Sequence, residues 1–279
     1  MVFLVVCYYS WKFFDKGTDL QELFLYICRM KKIYFLIIVT GCFFIFSCNK
    51  DKPNPIETPK SFVEITVQPT YNSSNLFLDS VYITTEGYKI KFTDLKFFGT
   101  TLKNGSNNLA QVGFFDFALS GNYFMKVEQD VNLFSDLQMI LGVDSLLNHN
   151  DPSTFSNDSP LNISNAGTMH WGWNPGYIFI SVEGKADTLI DGIENYDHNF
   201  SFHVGTDDYL QSKSFSAINW VKTTPNTHTF ALQLDLFDVI CNAMTPIDLR
   251  TEFLAHSSSL QAALTLKFGK NFKSALTPY

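Results

Sequence analysis

Few cysteines and an excess of acidic over basic residues distinguish this 279-residue sequence. Four of its five cysteines, Cys7, Cys28, Cys42 and Cys48, precede residue 49. Only Cys241 lies in the remainder of the chain, so no disulfide can form within it and its fold must depend on an apolar core. Twenty Lys and Arg against 27 Asp and Glu give a formal net charge of −7. This acidic balance, without basic clusters, argues against nucleic acid as a partner.

Sequence signatures of common enzyme classes are also missing. The chain has no G-x-S-x-G, no H-E-x-x-H, no P-loop and no dinucleotide-binding glycine pattern. Glu183, Asp207 and Asp208 are carboxylates whose spacing does not suggest a general acid and base, and solvated loop acids are the simpler interpretation. We therefore expect a protein that is not an enzyme.

The amino-terminal region contains an apolar run that is shorter than a transmembrane helix requires. A basic start at Met30 is followed by the apolar residues 33–46, whereas a membrane span needs about 20 residues. The run ends in a serine before Cys48, which resembles the lipobox of bacterial lipoproteins, in which the cysteine is lipidated. We predict a lipoprotein signal peptide over 30–47 and a flexible tether over 48–60. The alternative is a secretory signal peptide with a chance cysteine.

Residues 1–29 precede this signal sequence, although a signal normally starts at the terminus. We interpret them as an over-called extension, with initiation at Met30. An extra membrane-interacting helix is the alternative, and charged residues interrupt its apolar run. Lipidation of Cys48 predicts a protein anchored to a membrane of the bacterial envelope, at the outer membrane and facing the periplasm or the cell surface.

Period-2 alternation dominates the chain after residue 60 and predicts half-buried strands. Apolar residues alternate with polar ones over 63–67, 88–92 and 230–236. Helical spacing occurs in the segments 133–147 and 257–270, the second with Gly269 as a possible stop. We predict an all-β fold, an antiparallel β-sandwich with one or two short helices, formed by a single domain over 61–279.

The stretch MHWGWNPGYIFISVEG, residues 169–184, places His170, Trp171 and Trp173 immediately before a strand. Tryptophan carries a large apolar area into a core, whereas histidine is the commonest side-chain metal ligand. His203 lies in the strand-like segment NFSFHVG, on the face opposite Phe200 and Phe202. These residues are candidates both for the edge of the core and for a metal site.

Three segments carry a family resemblance. GVDSLLN at 142–148, the Trp block at 169–184 and FHVG at 202–205 occur in the order and spacing of the MbnP-like family. These bacterial lipoproteins are named for the copper-binding protein of methanobactin operons. The resemblance covers about residues 61–240 and implies a periplasmic β-sandwich.

The resemblance further implies copper binding, with a tryptophan oxidised to kynurenine by a di-haem peroxidase-like partner. His203 matches the histidine of the Phe-His-x-Gly strand, and Trp171 and Trp173 match the tryptophans of the block. Relatives often carry a histidine on the first strand, where this chain has Pro69 and Tyr71, and His170 is a candidate to replace it.

Two functions remain open from the sequence. The first is a copper-binding or copper-handling envelope lipoprotein. The alternative is a metal-free envelope module that holds a glycan or protein partner through aromatics of residues 61–71 or through the loop 147–168.

Overall fold

The computed structural model describes residues 60–172 and 176–279, and these belong to one compact unit. The predicted signal peptide, the extension before it, Cys48 and the tether before residue 60 lie outside the described residues, as does Trp173. The strands are β1 (Phe62–Tyr71), β2 (Ser74–Asn75), β3 (Tyr82–Ile83), β4 (Lys89–Asn104), β5 (Asn107–Asp116), β6 (Tyr123–Glu128), β7 (Leu137–Leu141), β8 (His170–Gly172), β9 (Gly176–Asp187), β10 (His198–Gly205), β11 (Gln211–Phe215), β12 (Val221–Thr224), β13 (Thr227–Asp235), β14 (Leu254–Ala255) and β15 (Leu276–Pro278).

The helices are short, apart from the last. They are α1 (Phe117–Ser120), α2 (Ser145–Asn148), α3 (Ile163–Ala166), α4 (Leu236–Ile240) and α5 (Ala262–Ala275). Short 3₁₀ turns occur at Val131–Leu133, Pro152–Thr154, Gly167–Met169, Asp207–Tyr209 and Ser259–Gln261. In the part of the chain that the structure describes, no helix combines the length and the apolar character that a membrane crossing requires.

Two sheets form the body of the fold. The first has the order β12-β13-β1-β2, with β6 also pairing with β1 and β15 with β13. The second has the order β11-β7-β4-β9-β10-β14, with β3 and β5 pairing with β4 and β8 with β9. The all-β prediction is therefore confirmed, and a sandwich describes the arrangement.

The core between the sheets is rich in phenylalanine. Phe97 of β4 packs against Phe115 of β5, Phe124 of β6 and Phe272 of α5, at ring centroid separations of 5.2 to 5.4 Å. All four rings are at most 1% exposed. Edge-to-face and offset aromatic pairs of this kind contribute beyond the area that they bury. Helix α5 is thus part of the core and does not lie only on the surface.

Among the described strands, most pairs are antiparallel, as predicted, but two are parallel. Strand β1 pairs in parallel with β13 over nine residue pairs, from Phe62 opposite Thr227 to Thr70 opposite Asp235. Strand β14 pairs in parallel with β10. Parallel neighbours need long connections, so they join segments distant in sequence, which strand periodicity does not reveal.

The helix predicted over 133–147 is mostly wrong. Leu137, Met139 and Leu141 are buried at alternating positions of β7, between β4 and β11, and α-helix occurs only at the end of the segment, in α2. The carboxyl-terminal helix is confirmed as α5, but it continues through Gly269 to Ala275. Core packing therefore overrode the local helical spacing in the first segment, and the glycine did not end the helix in the second.

Candidate metal centre

His203 and Glu183 meet on the outer face of the second sheet. In the antiparallel pair of β9 and β10, Glu183 lies opposite Ser201, two residues before His203. Because Phe202 is buried, strand alternation points Ser201 and His203 away from the core. His203 Nε2 lies 2.7 Å from Glu183 Oε1. An ionised carboxylate only accepts hydrogen bonds, so the imidazole is the donor in this contact.

A second imidazole, that of His256, lies directly against His203. The parallel pairing of β14 with β10 brings residues 254–255 beside 201–202, and His256 follows immediately. The two imidazole rings are stacked, with centroids 4.7 Å apart and planes within 7°. His256 Nε2 and His203 Nε2 each lie 3.2 Å from the hydroxyl oxygen of Ser201. Both Nε2 atoms therefore converge on one point.

The environment favours a neutral His256. Burial lowers its pKa, and the neighbouring His203 lowers it further, against an opposing effect of Glu183. The neutral imidazole is the form that binds metal ions. The next residue, Ser257, accepts a hydrogen bond from the Gly205 amide at 2.8 Å and donates one to the His203 carbonyl at 3.2 Å, which fixes this segment to β10.

Trp171 of β8 lies at one side of the site. Its ring centroid lies 6.4 Å from that of His203, with the planes at 53°. The indole lies on Gly205, where an added Cβ would be only 2.5 Å from Trp171 Cζ3. The glycine of the Phe-His-x-Gly segment therefore provides the space that lets the indole approach the imidazole.

His170 has a different environment. Its ring packs edge-on against Tyr177, the residue opposite it on β9, at a centroid distance of 4.7 Å. Burial lowers its pKa. Strand alternation sends His170 and Trp171 to opposite sides of β8, so that Trp171 is the member of this pair that lies beside His203. The other tryptophan candidate, Trp173, and the lipidation candidate, Cys48, are outside the described residues.

A row of charged residues continues from Glu183 across the sheet. Asp94 of β4 lies opposite Glu183 in the pairing of β4 with β9. Lys96 Nζ lies 3.0 Å from Asp94 Oδ1 and 3.9 Å from Asp116 Oδ2 of β5. Ser181 donates a hydrogen bond to Asp94 at 3.2 Å. Lys96 is thus shared by two carboxylates that are not Glu183.

The GVDSLLN segment is built into the framework below the site. Asp144 caps helix α2 by accepting a hydrogen bond from the Leu146 amide. Asn148, which is 1% exposed, accepts a hydrogen bond from the Tyr177 amide at 2.8 Å and donates one to Asp207 at 3.0 Å. These contacts hold the beginning of β9, the strand that carries Glu183. The segment contributes no side chain to the contacts around His203 described above.

Sequence reasoning missed two members of this cluster. Glu183 was interpreted as a solvated loop acid, yet it lies on β9 with its neighbours Val182 and Gly184 buried, and outward alternation was the available signal. His256 lies in a short connection before α5, and its approach to His203 depends on the β10 and β14 pairing across more than 50 residues. No local sequence pattern predicts the contact between His256 and His203.

The atoms that could donate to a metal at this cluster are of the types that copper binds. Two imidazole nitrogens and a nearby carboxylate form a nitrogen and oxygen donor set, which suits Cu(II). Within residues 60–172 and 176–279, no group of three or more His, Cys, Asp or Glu side chains is already arranged to hold a metal ion. His203 and His256, whose Nε2 atoms both lie 3.2 Å from the Ser201 hydroxyl, are the residues that would hold copper here.

The aromatics considered for a metal-free binding surface are mostly inaccessible. Tyr71 is 6% exposed and donates a hydrogen bond to the Ile83 carbonyl. Phe62 is only half-buried, and the Lys126 ammonium lies 5.5 Å from its ring centroid. In the loop 147–168, Ile163 is exposed. The loop therefore remains the more accessible of the two surfaces proposed for a partner.

One of the comparisons with known proteins, that with family models, shows the family of this chain. The family model MbnP matches residues 60–260. A search of curated proteins finds no match. Among solved structures, MbnP from Methylosinus trichosporium is similar at 13% sequence identity and a TM-score of 0.46, over 72% of this chain and 82% of that chain.

Proposed function

This chain belongs to the MbnP family, and we propose that it binds copper in the bacterial envelope through His203 and His256, beside Trp171. The convergence of two imidazole nitrogens on the Ser201 hydroxyl carries the proposal. Histidine nitrogen is a good copper ligand, and His203 Nε2 would bind an ion after losing the proton that it donates to Glu183.

Each neighbouring residue has a definite part in this proposal. Glu183 holds His203 in orientation through the 2.7 Å contact between Oε1 and Nε2. Because Nε2 cannot donate this hydrogen bond and bind an ion at the same time, copper binding would displace the proton and leave the Glu183 carboxylate beside the ion as a possible oxygen ligand. Ser257 fixes the segment that carries His256, and Gly205 admits the indole of Trp171. Bound copper would supply a redox-active centre next to that indole.

Trp171 is the proposed site of oxidation to kynurenine. Its ring, not that of His170, lies against His203. Oxidative cleavage of the indole C2–C3 bond, with peroxide as the oxidant and C2 released as formate, would leave an aniline-type nitrogen as a further donor near the two imidazoles. We propose that a di-haem peroxidase-like partner carries out this oxidation, and that the protein itself is not an enzyme.

We also propose that the protein is a lipoprotein held in the envelope through Cys48. The support is the basic, apolar and small-residue order of residues 30–48 in the sequence. A lipid anchor would keep the copper centre close to the membrane without a transmembrane helix. Membrane anchoring and copper binding depend on different residues and can be tested independently.

Analysis of protein purified from its native host tests the proposal. We expect about one copper ion per chain and kynurenine in the peptide that carries Trp171, since one pair of converging imidazoles should hold one ion. Mass spectrometry of the same digest reports on Trp173 as an internal comparison. Protein isolated without copper and with both tryptophans intact would contradict the proposal and favour the metal-free binding module.

A further inference from the structure

The loop between β9 and β10 exposes three aliphatic side chains close together. Leu189, Ile190 and Ile193 are 60%, 72% and 70% exposed. Ile83 of β3, also exposed, continues this surface, because the turn after β3 brings Gly87 against Ile190, where an added Cβ would lie 3.4 Å from Cδ1. Single exposed aliphatic residues are ordinary, whereas a contiguous cluster is a sign of an interaction site. The four aliphatic residues are called the aliphatic patch below.

Hydrogen bonds at the base of the loop hold it in this shape. Asp187, which is buried, accepts hydrogen bonds from the amides of Leu189 at 3.2 Å and Asn195 at 3.3 Å, near the two ends of the loop. Asp191 accepts another from the Ile193 amide at 2.9 Å. The loop therefore presents its aliphatic side chains in a fixed arrangement, which lowers the cost of ordering them on binding.

Two lysines of β4 hold the remainder of the loop. Lys89 Nζ lies 2.6 Å from Glu194 Oε1, and Lys91 Nζ lies 4.3 Å from the centroid of the Tyr196 ring. A lysine over an aromatic face is attracted to the ring by the cation–π interaction. Both lysines are thus engaged with side chains of the loop itself.

The loop carries an excess of negative charge beside the aliphatic patch. Residues 188–197 contain three acidic residues and no lysine or arginine, and Lys89 pairs with one of the three. The other two, Asp191 and Asp197, are exposed, and the ion pairs found among the described residues include neither of them. Such a surface is complementary to an apolar surface bordered by lysine or arginine.

We propose that the aliphatic patch docks a partner protein whose apolar contact surface is bordered by lysine or arginine. A second copy of this chain fits less well, because a two-fold contact would bring Asp191 and Asp197 of both copies together. An anionic lipid surface would repel the same carboxylates. With four aliphatic side chains at its centre, the contact belongs to the small, transient class. The patch includes none of His203, His256 and Trp171, so the proposal does not depend on copper binding.

Photo-crosslinking in the native host tests this proposal. A photoreactive amino acid replaces Ile193 in the full chain, and in the matched control it replaces Leu119 of α1, which is 85% exposed. The probe at position 193 is then combined with Ile190→Ser, and separately with Asp191→Asn and Asp197→Asn together. Mass spectrometry identifies each adduct and the crosslinked peptide of the partner. Thermal unfolding checks that the variants fold, and their Tm should change little because the replaced side chains are exposed.

We expect one partner protein to crosslink at position 193 and not at position 119, through apolar residues that have lysine or arginine beside them. Ile190→Ser should lower the yield of this adduct by about 10-fold or more, because burial of the isoleucine side chain is lost. Removal of the two carboxylates should lower it by about 2- to 30-fold, the range for two exposed ion pairs.

Several results would overturn the proposal. An adduct between two copies of this chain would assign the patch to self-association, and an adduct with lipid would assign it to the membrane. Absence of an adduct at position 193, or equal crosslinking at position 119, would mean that the patch has no specific protein partner. A yield that Ile190→Ser or the paired aspartate changes leave intact would contradict the apolar or the charged part of the contact. None of these results bears on copper binding, which is tested separately.

Discussion

Replacing Gly205 by alanine tests the packing that holds Trp171 against His203. An added Cβ would lie 2.5 Å from Trp171 Cζ3 and 2.9 Å from the carbonyl oxygen of Tyr177. Gly205 is paired with Ile178 of β9, and its amide donates a hydrogen bond to Ser257, so the backbone has little freedom to retreat. The indole must therefore move. Overpacking of this type costs about 1–3 kcal/mol in the free energy of unfolding.

Thermal unfolding of the metal-free protein measures this cost. A domain of this size loses about 2–4 °C in Tm for each kcal/mol. Gly269→Ala is the control, because its Cβ would have no neighbour within 4 Å in helix α5, and it should gain up to about 1 kcal/mol. Trp171→Phe should relieve the crowding, so that the double variant loses less stability than the two single changes together. An unchanged Tm for Gly205→Ala, or strictly additive effects, would refute the reasoning.

Three further predictions concern pH, anchoring and the framework. Since the pKa of His256 is lowered in the folded protein, the unfolded chain binds protons more readily, and stability should fall as the pH drops below about 6.5. The Tm of His256→Gln should depend less on pH over that window, and an identical dependence would contradict the assignment. Cys48→Ala should leave the protein out of the membrane fraction, and firm membrane binding of the variant would refute the lipobox interpretation. Asn148→Ala leaves the buried Tyr177 amide without its acceptor and should cost about 1–3 kcal/mol in urea unfolding, whereas an unchanged midpoint would contradict this role.

The strand content could be predicted from the sequence because burial on one face repeats every two residues. Val63, Ile65 and Val67 of β1 are fully buried, as their alternation indicates. The same rule failed in the segment 133–147, where leucines at helical spacing conceal the alternation of β7. Sheet order could not be predicted, because the parallel partner of β1 is β13, more than 150 residues away.

The residues of the candidate centre were likewise predicted only in part from the sequence. The prediction of His203 came from its outward position on a strand and from the family resemblance. The position of Trp171 beside it follows from the β8 and β9 hairpin, which is local in sequence. His256 was missed because only the pairing of β14 with β10 brings it to the site. The assignments of His203, His170 and both tryptophans to copper chemistry stay predictions.

Electron paramagnetic resonance of the Cu(II)-loaded protein can establish whether His203 and His256 hold copper, because nitrogen couplings report the number of coordinating imidazoles. We expect two coupled imidazoles in recombinant wild type and one in each of His203→Ala and His256→Ala. His149→Ala is the control, since this exposed histidine lies beside Asp207 and should leave both couplings intact. Wild-type couplings that persist unchanged in both His203→Ala and His256→Ala, or the absence of stoichiometric copper binding, would contradict the claim that these two residues hold copper.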